Sequence, residues 1–250
     1  LEFSEAAAKS GIQPIIGCQL RVQSTADGAP TSRPGDGPKI SGDMVFLAKN
    51  DAGYRNLLKL LAYAYLETDH ADEPHITLDV MATYADGLIT LTGGALGPLG
   101  KILAAGQMPL AESFLDSLQA AFGDRLYMEV QRHGTPEERA TEEMFLEQAY
   151  ARDIPLIATN EAYFSMRDMY EAHDALLCIA DGAYVSQRDR LNKTPEHYLK
   201  TAQEMRALFA DLPEAVDNTL VIAQRCAFMV EHMDPILPPY NCGEGRTEED

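Results

Sequence analysis

The sequence predicts an α/β fold in which short apolar strands alternate with capped amphipathic helices. Its 250 residues are enough to bury the core of one large domain, and its 46% hydrophobic and 24% charged residues are ordinary for a soluble globular protein. Apolar runs of strand length recur along the chain, and helices with N-terminal caps follow them. This βα order predicts a parallel sheet or a barrel, and the pattern alone leaves both forms open.

The elements before residue 125 are predicted from apolar periodicity bounded by turn residues. In chain order they are a helix over Phe3–Lys9, a strand over Gln13–Val22, a loop over Gln23–Gly42, a strand over Asp43–Ala48, a helix capped by Asn50 or Asp51, a helix over Leu78–Ala85, a strand over Gly87–Thr92 and a helix over Met108–Phe122. Ile15 and Ile16 suggest that the first strand is buried on both faces. The side chains predicted to share one side of the helix after Asn50 are Tyr54, Leu57, Leu58, Leu61 and Tyr65.

The stretch from Leu126 to Gly182 organises the rest of the chain. It predicts, in order, a strand over Leu126–Val130, a helix over Thr135–Arg152, a strand over Pro155–Thr159, a loop and a further helix. Thr135 and Glu138 have the spacing of a capping box at the start of the first helix. His133 and Glu161 each follow the carboxyl end of a strand, where ligands and catalytic groups collect in βα folds.

Beyond Gly182 the chain predicts flanking helices and a linker. The elements are a polar connection over Ala183–Lys193, a helix over Ala202–Phe209 with a Thr201/Glu204 capping box, a helix over Pro213–Phe228 with Val216, Leu220, Ala223 and Cys226 on one stripe, and a Pro-rich, acidic tail over Pro235–Asp250. Such a tail is typical of a linker into a further domain. The glycine-rich stretch Gly93–Gly100 lacks the nucleotide-binding fingerprints GxGxxG and GK[ST], and it predicts a tight strand-to-helix turn.

Composition and motifs argue against several classes of protein. The formal charge of −19 disfavours direct nucleic-acid binding, because such surfaces cluster Lys and Arg. No apolar run reaches the ~18 to 20 residues of a membrane span, and we expect a cytoplasmic protein. Cys18, Cys178, Cys226 and Cys242 form no CxxC pair, so we expect reduced thiols and neither disulfides nor a zinc site. The chain has no nucleophile elbow, which argues against acyl hydrolysis.

Six separated blocks carry a resemblance to a known family. They are SGIQPIIGCQL, VFLAKNDAGYRNLLKL, EVQRHG, IATNEAYF, AHDALLCIADG and TPEHYLKTAQEM. Together they closely resemble the PHP (polymerase and histidinol phosphatase) domain of the bacterial replicative DNA polymerase III alpha subunit. The resemblance implies a PHP domain over residues 1–234, folded as a distorted (β/α)7 barrel of about seven strands, and a linker over residues 235–250.

The first residues of the sequence indicate that it is a fragment of a longer protein. LEFSEAAAK has the composition of a helix already under way, without a signal peptide. The resemblance implies that the first strand–helix–strand unit of the barrel, with a His-x-His metal motif, would precede Leu1. Removing that unit exposes two strand edges and apolar core, so we expect a rearranged or self-associated N-terminal region.

The resemblance also implies a set of metal-ligand positions. PHP domains resemble phosphoesterases whose strand-end carboxylates and histidines hold divalent ions. His133 matches a family ligand, while Asp43 and Glu161 replace His and Asp of active relatives and still can ligate. Gln19 and Tyr163 replace Glu and His, and both are poor ligands. We therefore expect a lost cluster or a residual Zn²⁺ or Mn²⁺ site, and no other cofactor.

Each of these positions has a structural alternative. For His133 it is a hydrogen-bonded histidine at a strand end, and for Glu161 it is a helix-cap or turn carboxylate. Glu129 either points into the barrel or pairs with an arginine. His173 and Asp174 are adjacent in a helix, so their side chains face apart and do not make an acid/base pair.

Two hypotheses of function follow. The degraded ligands and acidic charge favour a structural and docking module, without catalytic residues, in a Mg²⁺-dependent DNA-directed DNA polymerase (a nucleotidyltransferase of DNA replication). The implied partners are the rest of the alpha subunit and the proofreading exonuclease subunit, with little nucleic-acid contact by this segment. The alternative is an active metal-dependent phosphoesterase, a 3′-5′ exonuclease or a pyrophosphatase, using His133, Glu161, Asp43 and Glu129. A free-standing histidinol-phosphatase-type enzyme fits the polymerase-like blocks less well.

Overall fold

A computed structural model describes residues 2–24, 40–69, 72–187 and 189–232. The chain divides into two compact units, one of residues 15–228 and one of the chain ends, 1–14 and 229–250. In the unit of the chain ends, the described residues include helix α1 (Glu2–Lys9), which confirms the predicted helix. The predicted linker over Pro235–Asp250 lies outside the described residues, as does most of the predicted loop after Gln23.

Six described strands of the larger unit form one mixed sheet. They are β1 (Gly17–Ser24), β2 (Ile40–Ala48), β3 (Ile76–Thr77), β4 (Leu88–Leu91), β5 (Leu126–Val130) and β6 (Leu156–Ala158). Their order is β3-β1-β2-β4-β5-β6. The β4–β5–β6 half is parallel, whereas β2 runs antiparallel to both β1 and β4. The α/β class is confirmed, the all-parallel sheet is wrong for the first half, and the closed barrel stays a prediction.

The pairing of β1 with β2 is the main correction to the predicted fold. The register runs from Gly17 opposite Leu47 to Ser24 opposite Ile40, so both strands extend into the predicted loop. Turn-forming residues at the loop ends concealed this extension. The predicted burial of the first strand on both faces is also wrong. In β1 buried and more exposed positions alternate, and Ile15, before the strand, is 42% exposed.

In the described residues of the larger unit, eight helices cover and flank the sheet. They are α2 (Asp51–Leu66), α3 (Leu78–Thr83), α4 (Pro98–Ala104), α5 (Met108–Phe122), α6 (Pro136–Ala151), α7 (Tyr170–Asp181), α8 (Ala202–Leu208) and α9 (Pro213–Arg225). Asn50 caps α2 by accepting from the backbone N–H of Gly53 at 3.0 Å. The capping boxes of Thr135 with Glu138 and of Thr201 with Glu204 are confirmed. The short elements β3 and α4 were not predicted.

The stripes predicted for helices α2 and α9 match their buried faces only in part. The buried residues of α2 are Gly53, Leu57, Leu60 and Ala64. Leu58 and Tyr65, predicted to share one side with Leu57, are exposed, and so is Leu220 of the α9 stripe. A side chain on Gly53 would collide with the backbone carbonyl of Gly87. This glycine therefore lets α2 lie against the turn before β4, which fixes the buried face.

The turn after β4 brings backbone donors to the edge of the sheet. Gly93 has a φ of 87°, and the turn continues through the 3-10 helix Gly94–Leu96 into α4. A side chain on Gly93 would collide with the carbonyl of Asp43, so only glycine allows this turn to lie against β2. The predicted tight strand-to-helix turn is confirmed.

The main hydrophobic core cluster lies between the sheet and helices α2 to α6 and extends to residues 209–216. Its largest fully buried side chains include Phe46, Phe114, Phe122 and Phe145, and the rings of Phe46 and Phe122 are 6.3 Å apart. Packing on this side holds the strands in place and fixes where their carboxyl ends emerge. Among the described residues, no helix has the length and apolar character of a membrane span.

Candidate functional site

A cleft of about 830 Å³ lies where the carboxyl ends of β4, β5 and β6 meet the β1–β2 pair. Its lining includes four of the five family positions, Gln19, Asp43, Glu161 and Tyr163. Gly93, Gln131 and Thr159 follow the three parallel strands and contribute the rest of one wall. His133 is not among the lining residues. The sheet therefore brings together positions that lie far apart in the sequence, as the resemblance implies.

Glu129 provides a buried carboxyl group at the cleft. It is 3% exposed, and Oε2 accepts from the backbone N–H of Gly93 at 3.0 Å. The hydroxyl of Thr159 and the amide of Gln131 donate to Oε1. Burial raises the pKa of Glu129, and the hydrogen bonds from Thr159 and Gly93 offset part of that effect. Of the two alternatives left open, the structure shows Glu129 facing the cleft.

Asp43 forms an ion pair with Arg21. Arg21 faces Asp43 across the β1–β2 register, and its Nε lies 3.2 Å from Oδ1 of Asp43. Arg21 also pairs with Glu73. Because the side chains of Asp43 and Arg21 are 39% and 34% exposed, water screens this pair in part.

Glu161 forms a separate ion pair of the cleft, with Lys193. The Nζ of Lys193 lies 3.4 Å from Oε2 of Glu161, and the hydroxyl of Tyr163 donates to Oε1 at 2.7 Å. Lys193 also lies 4.2 Å from the centre of the Tyr163 ring, a cation–π geometry. Burial opposes the charge of Lys193, but the hydrogen bond with Tyr163 and the charge of Glu161 hold its pKa above its ordinary value.

His133 is buried and does not line the cleft. Its Nδ1 lies 2.8 Å from Oε1 of Glu138, and its backbone N–H donates to Oε2 at 2.7 Å. Its ring stacks on that of His197 with centroids 4.0 Å apart. Burial and the nearby His133 lower the pKa of His197 to about 4, so His197 is neutral at physiological pH. The contacts of Nδ1 and the backbone N–H fit the structural alternative, whereas the buried Nε2 has no hydrogen-bond partner in the described part of the chain, so both roles of His133 stay predictions.

His173 and Asp174 have separate partners. Asp174 pairs with both terminal nitrogens of Arg190, at 2.5 and 2.7 Å. The ring of His173 packs 5.3 Å from that of Phe164 and 5.5 Å from that of Tyr163. The prediction that they do not form an acid/base pair is confirmed.

The cations of the cleft were not predicted from the sequence. Lys193 lies 32 residues from Glu161, and nothing in a polar connection marks it as a partner. Arg21 could have been predicted, because an antiparallel pairing of β1 with β2 places it opposite Asp43. His197, to which no role was assigned, belongs to the His133 stack.

The described part of the chain contains three of the four cysteines and bears on the expectation of a residual metal site. Cys18, Cys178 and Cys226 carry free thiols, and burial raises the pKa of Cys18 to about 11. Cys242 lies outside the described residues. In residues 2–24, 40–69, 72–187 and 189–232, no three His, Cys, Asp or Glu side chains are grouped closely enough to hold a metal ion.

Comparison with known proteins decides the family. Residues 1–133 match the family model of the PHP domain. This chain belongs to the PHP domain family. It is 48% identical over 99% of its length to the DNA polymerase III subunit alpha of Caulobacter vibrioides, and 39% identical over 96% to that of Rickettsia bellii. Against the Vibrio cholerae subunit it is 34% identical over 97%. The resemblance seen in the sequence blocks is confirmed.

The PHP chain is short beside these relatives. It spans 21% of the Caulobacter vibrioides subunit, and 20% of each of the other two. The match therefore covers about a fifth of the length of the curated relatives.

Proposed function

We propose that this PHP domain is a segment of a DNA polymerase III alpha subunit and acts there as a non-catalytic structural and docking module. The support is its similarity to subunits of that name along almost its whole length. In this proposal the parent is a cytoplasmic, Mg²⁺-dependent DNA-directed DNA polymerase. Its partners are the rest of the alpha subunit and a proofreading exonuclease subunit. The sheet would form most of a distorted (β/α)7 barrel over residues 1–234, followed by a linker over residues 235–250.

One observation carries the non-catalytic role: side-chain cations already pair with both carboxylates that occupy family ligand positions. Lys193 pairs with Glu161, and Arg21 pairs with Asp43. A divalent ion bound by these carboxylates would lie within a few ångströms of both cations, at a large electrostatic cost. Divalent ions also need several anionic or imidazole donors, and Gln19 and Tyr163 supply neither. The donors of the cleft do not fit a metal cluster, and the same geometry disfavours the phosphoesterase alternative.

Calorimetric titration with Zn²⁺ and Mn²⁺ tests this proposal. It is run on this chain and on the longer polypeptide that carries the preceding segment, because that segment would supply the His-x-His motif. We expect no stoichiometric binding in the micromolar range and no change in the melting temperature on adding EDTA. Stoichiometric binding that Glu161→Gln or His133→Ala abolishes would overturn the non-catalytic role and justify a nuclease assay.

A further inference from the structure

Glu161 and Tyr163 act as one unit in the wall of the cleft. The hydroxyl of Tyr163 donates to Oε1 of Glu161 at 2.7 Å, and this bond orients the carboxylate. The other carboxylate oxygen, Oε2, and the face of the Tyr163 ring are both in contact with one cation. The pair therefore offers a negative oxygen and an aromatic face to a single positive group.

The positive group is the ammonium of Lys193. Its Nζ lies 3.4 Å from Oε2 of Glu161 and 4.2 Å from the centre of the Tyr163 ring. The side chain of Lys193 is only 17% exposed, so water screens this contact less than it screens a pair on the open surface. A carboxylate and an aromatic face are two groups that recognise organic ammonium ions.

This combination of groups suits an organic cation better than a metal ion. Zn²⁺ and Mn²⁺ take carboxylate, imidazole, thiolate or water ligands, and an aromatic face is none of these. Within the part of the chain that the structure describes, no three His, Cys, Asp or Glu side chains lie close enough to supply such ligands. One carboxylate beside one ring is instead sufficient to hold an ammonium group.

The backbone on both sides of Lys193 is held in place. Before it, Arg190 pairs with both carboxylate oxygens of Asp174, and these two side chains are buried. After it, the hydroxyl of Thr194 donates to the backbone carbonyl of His133 at 2.8 Å. A group that is tethered this closely acts at a high effective concentration, so even a weak site stays occupied.

We propose that Glu161 and Tyr163 form a binding site for a primary alkylammonium group, and that Lys193 occupies it as a tethered ligand. The chain thus closes this part of its cleft with an internal cation. An amine from solution binds there only when the Lys193 side chain is displaced or removed. The proposal concerns the cleft alone, and it depends neither on the parent protein nor on the docking role.

The test removes the tethered ammonium and supplies it again from solution. Lys193→Ala deletes the part of the side chain that n-propylammonium replaces. At constant ionic strength, we expect n-propylammonium chloride to bind this variant saturably and about tenfold or more tightly than it binds the wild type. NMR signals of Glu161 and Tyr163 should shift with the same saturation curve, and the urea midpoint should rise toward that of the wild type.

Matched variants separate a formed site from general attraction to an acidic protein. Lys193→Met fills the same space with an uncharged chain, so n-propylammonium should not bind. Arg206→Ala frees the carboxylate of Asp217 in a pair that is exposed on both sides, and it should not bind either. The double variant Lys193→Ala/Glu161→Gln should lose the binding that Lys193→Ala gains. Tetramethylammonium, which has the charge without an N–H donor, should bind Lys193→Ala far more weakly.

Three outcomes would overturn the proposal. The first is no saturable binding of n-propylammonium to Lys193→Ala. The second is equal binding to Arg206→Ala or to the double variant, which would show non-specific attraction. The third is equal binding of tetramethylammonium, which would remove the role of the N–H donors. Titration with Zn²⁺ and Mn²⁺ reports on divalent ions and amine titration reports on the ammonium site, so failure of one proposal is distinguishable from failure of the other.

Discussion

At the scale of single residues, the cleft combines ion-paired carboxylates at its wall with one buried carboxyl group that is held by hydrogen bonds alone. The cations of Lys193 and Arg21 face Glu161 and Asp43, while Glu129 has hydrogen-bond donors and no cation in the described contacts. The two kinds of carboxyl group therefore predict different responses to substitution and to pH.

Removing the ammonium group of Lys193 is expected to destabilise the cleft modestly. Lys193→Met keeps most of the side-chain length but leaves Glu161 without its cation. Because both side chains retain some exposure, we expect a loss of about 1 kcal/mol in the free energy of unfolding. Urea denaturation measures this loss, and Lys193→Arg is expected to restore most of it. A loss of the same size in Lys193→Arg would contradict a role based on charge.

Glu129 predicts a pH-dependent difference in stability. Its folded pKa lies above the ordinary value of 4.5, so the stabilisation from its protonated form is complete below that value. It is lost as the pH rises through the folded pKa. Glu129→Gln does not ionise, so its stability relative to the wild type should increase across this window and then level off. Urea midpoints from about pH 4 to about pH 8 test this, and a pH-independent difference would contradict it.

At the scale of elements, features that depend on residues close in sequence were predictable, whereas features that depend on contacts between distant residues were not. Capping boxes such as Thr135 with Glu138 were predictable because a cap depends on residues three positions apart. The β1–β2 pairing and the Arg21–Asp43 pair depend on contacts across a loop, which composition does not encode. The buried face of α2 depends on the contact of Gly53 with Gly87, which periodicity alone does not contain.

The capping box of α6 is expected to contribute more than that of α8. Glu138 caps Thr135 and also accepts two hydrogen bonds from the buried His133. Glu138→Ala should therefore cost about 2 to 3 kcal/mol, because it leaves buried donors without an acceptor. Glu204→Ala is the matched control, since it removes the same motif at an exposed position, and it should cost clearly less than Glu138→Ala.

Urea denaturation of the two variants makes this comparison. Burial opposes ionisation of Glu138, but hydrogen bonds from His133 and Thr135 hold its pKa below the ordinary 4.5. The stabilisation is therefore present above pH 4.5 and is lost as the pH falls through the lowered pKa. Equal costs for Glu138→Ala and Glu204→Ala would show that the link to His133 adds nothing.

At the scale of the whole molecule, one arginine joins the sheet region to the C-terminal helices. Arg132 follows β5, and its guanidinium binds both carboxylate oxygens of Glu142 in α6 and both of Asp211 before α9. It also donates to the carbonyl of Leu208 and lies 4.7 Å from the centre of the buried Phe209 ring. No run of apolar residues predicts such a junction, because it depends on three segments that meet only in the fold.

Arg132→Lys is expected to loosen the C-terminal helices without unfolding the sheet. Lysine keeps the charge but lacks the planar fork that binds two carboxylates at once, so we expect a loss of about 1 to 2 kcal/mol. Hydrogen exchange should speed up in α8 and α9 and stay unchanged in β4 and β5. Arg206→Lys is the control, because its pair with Asp217 is exposed on both sides. Faster exchange spread evenly over the sheet and the helices would mean that Arg132 supports the whole core, and that α8 and α9 do not open separately from it.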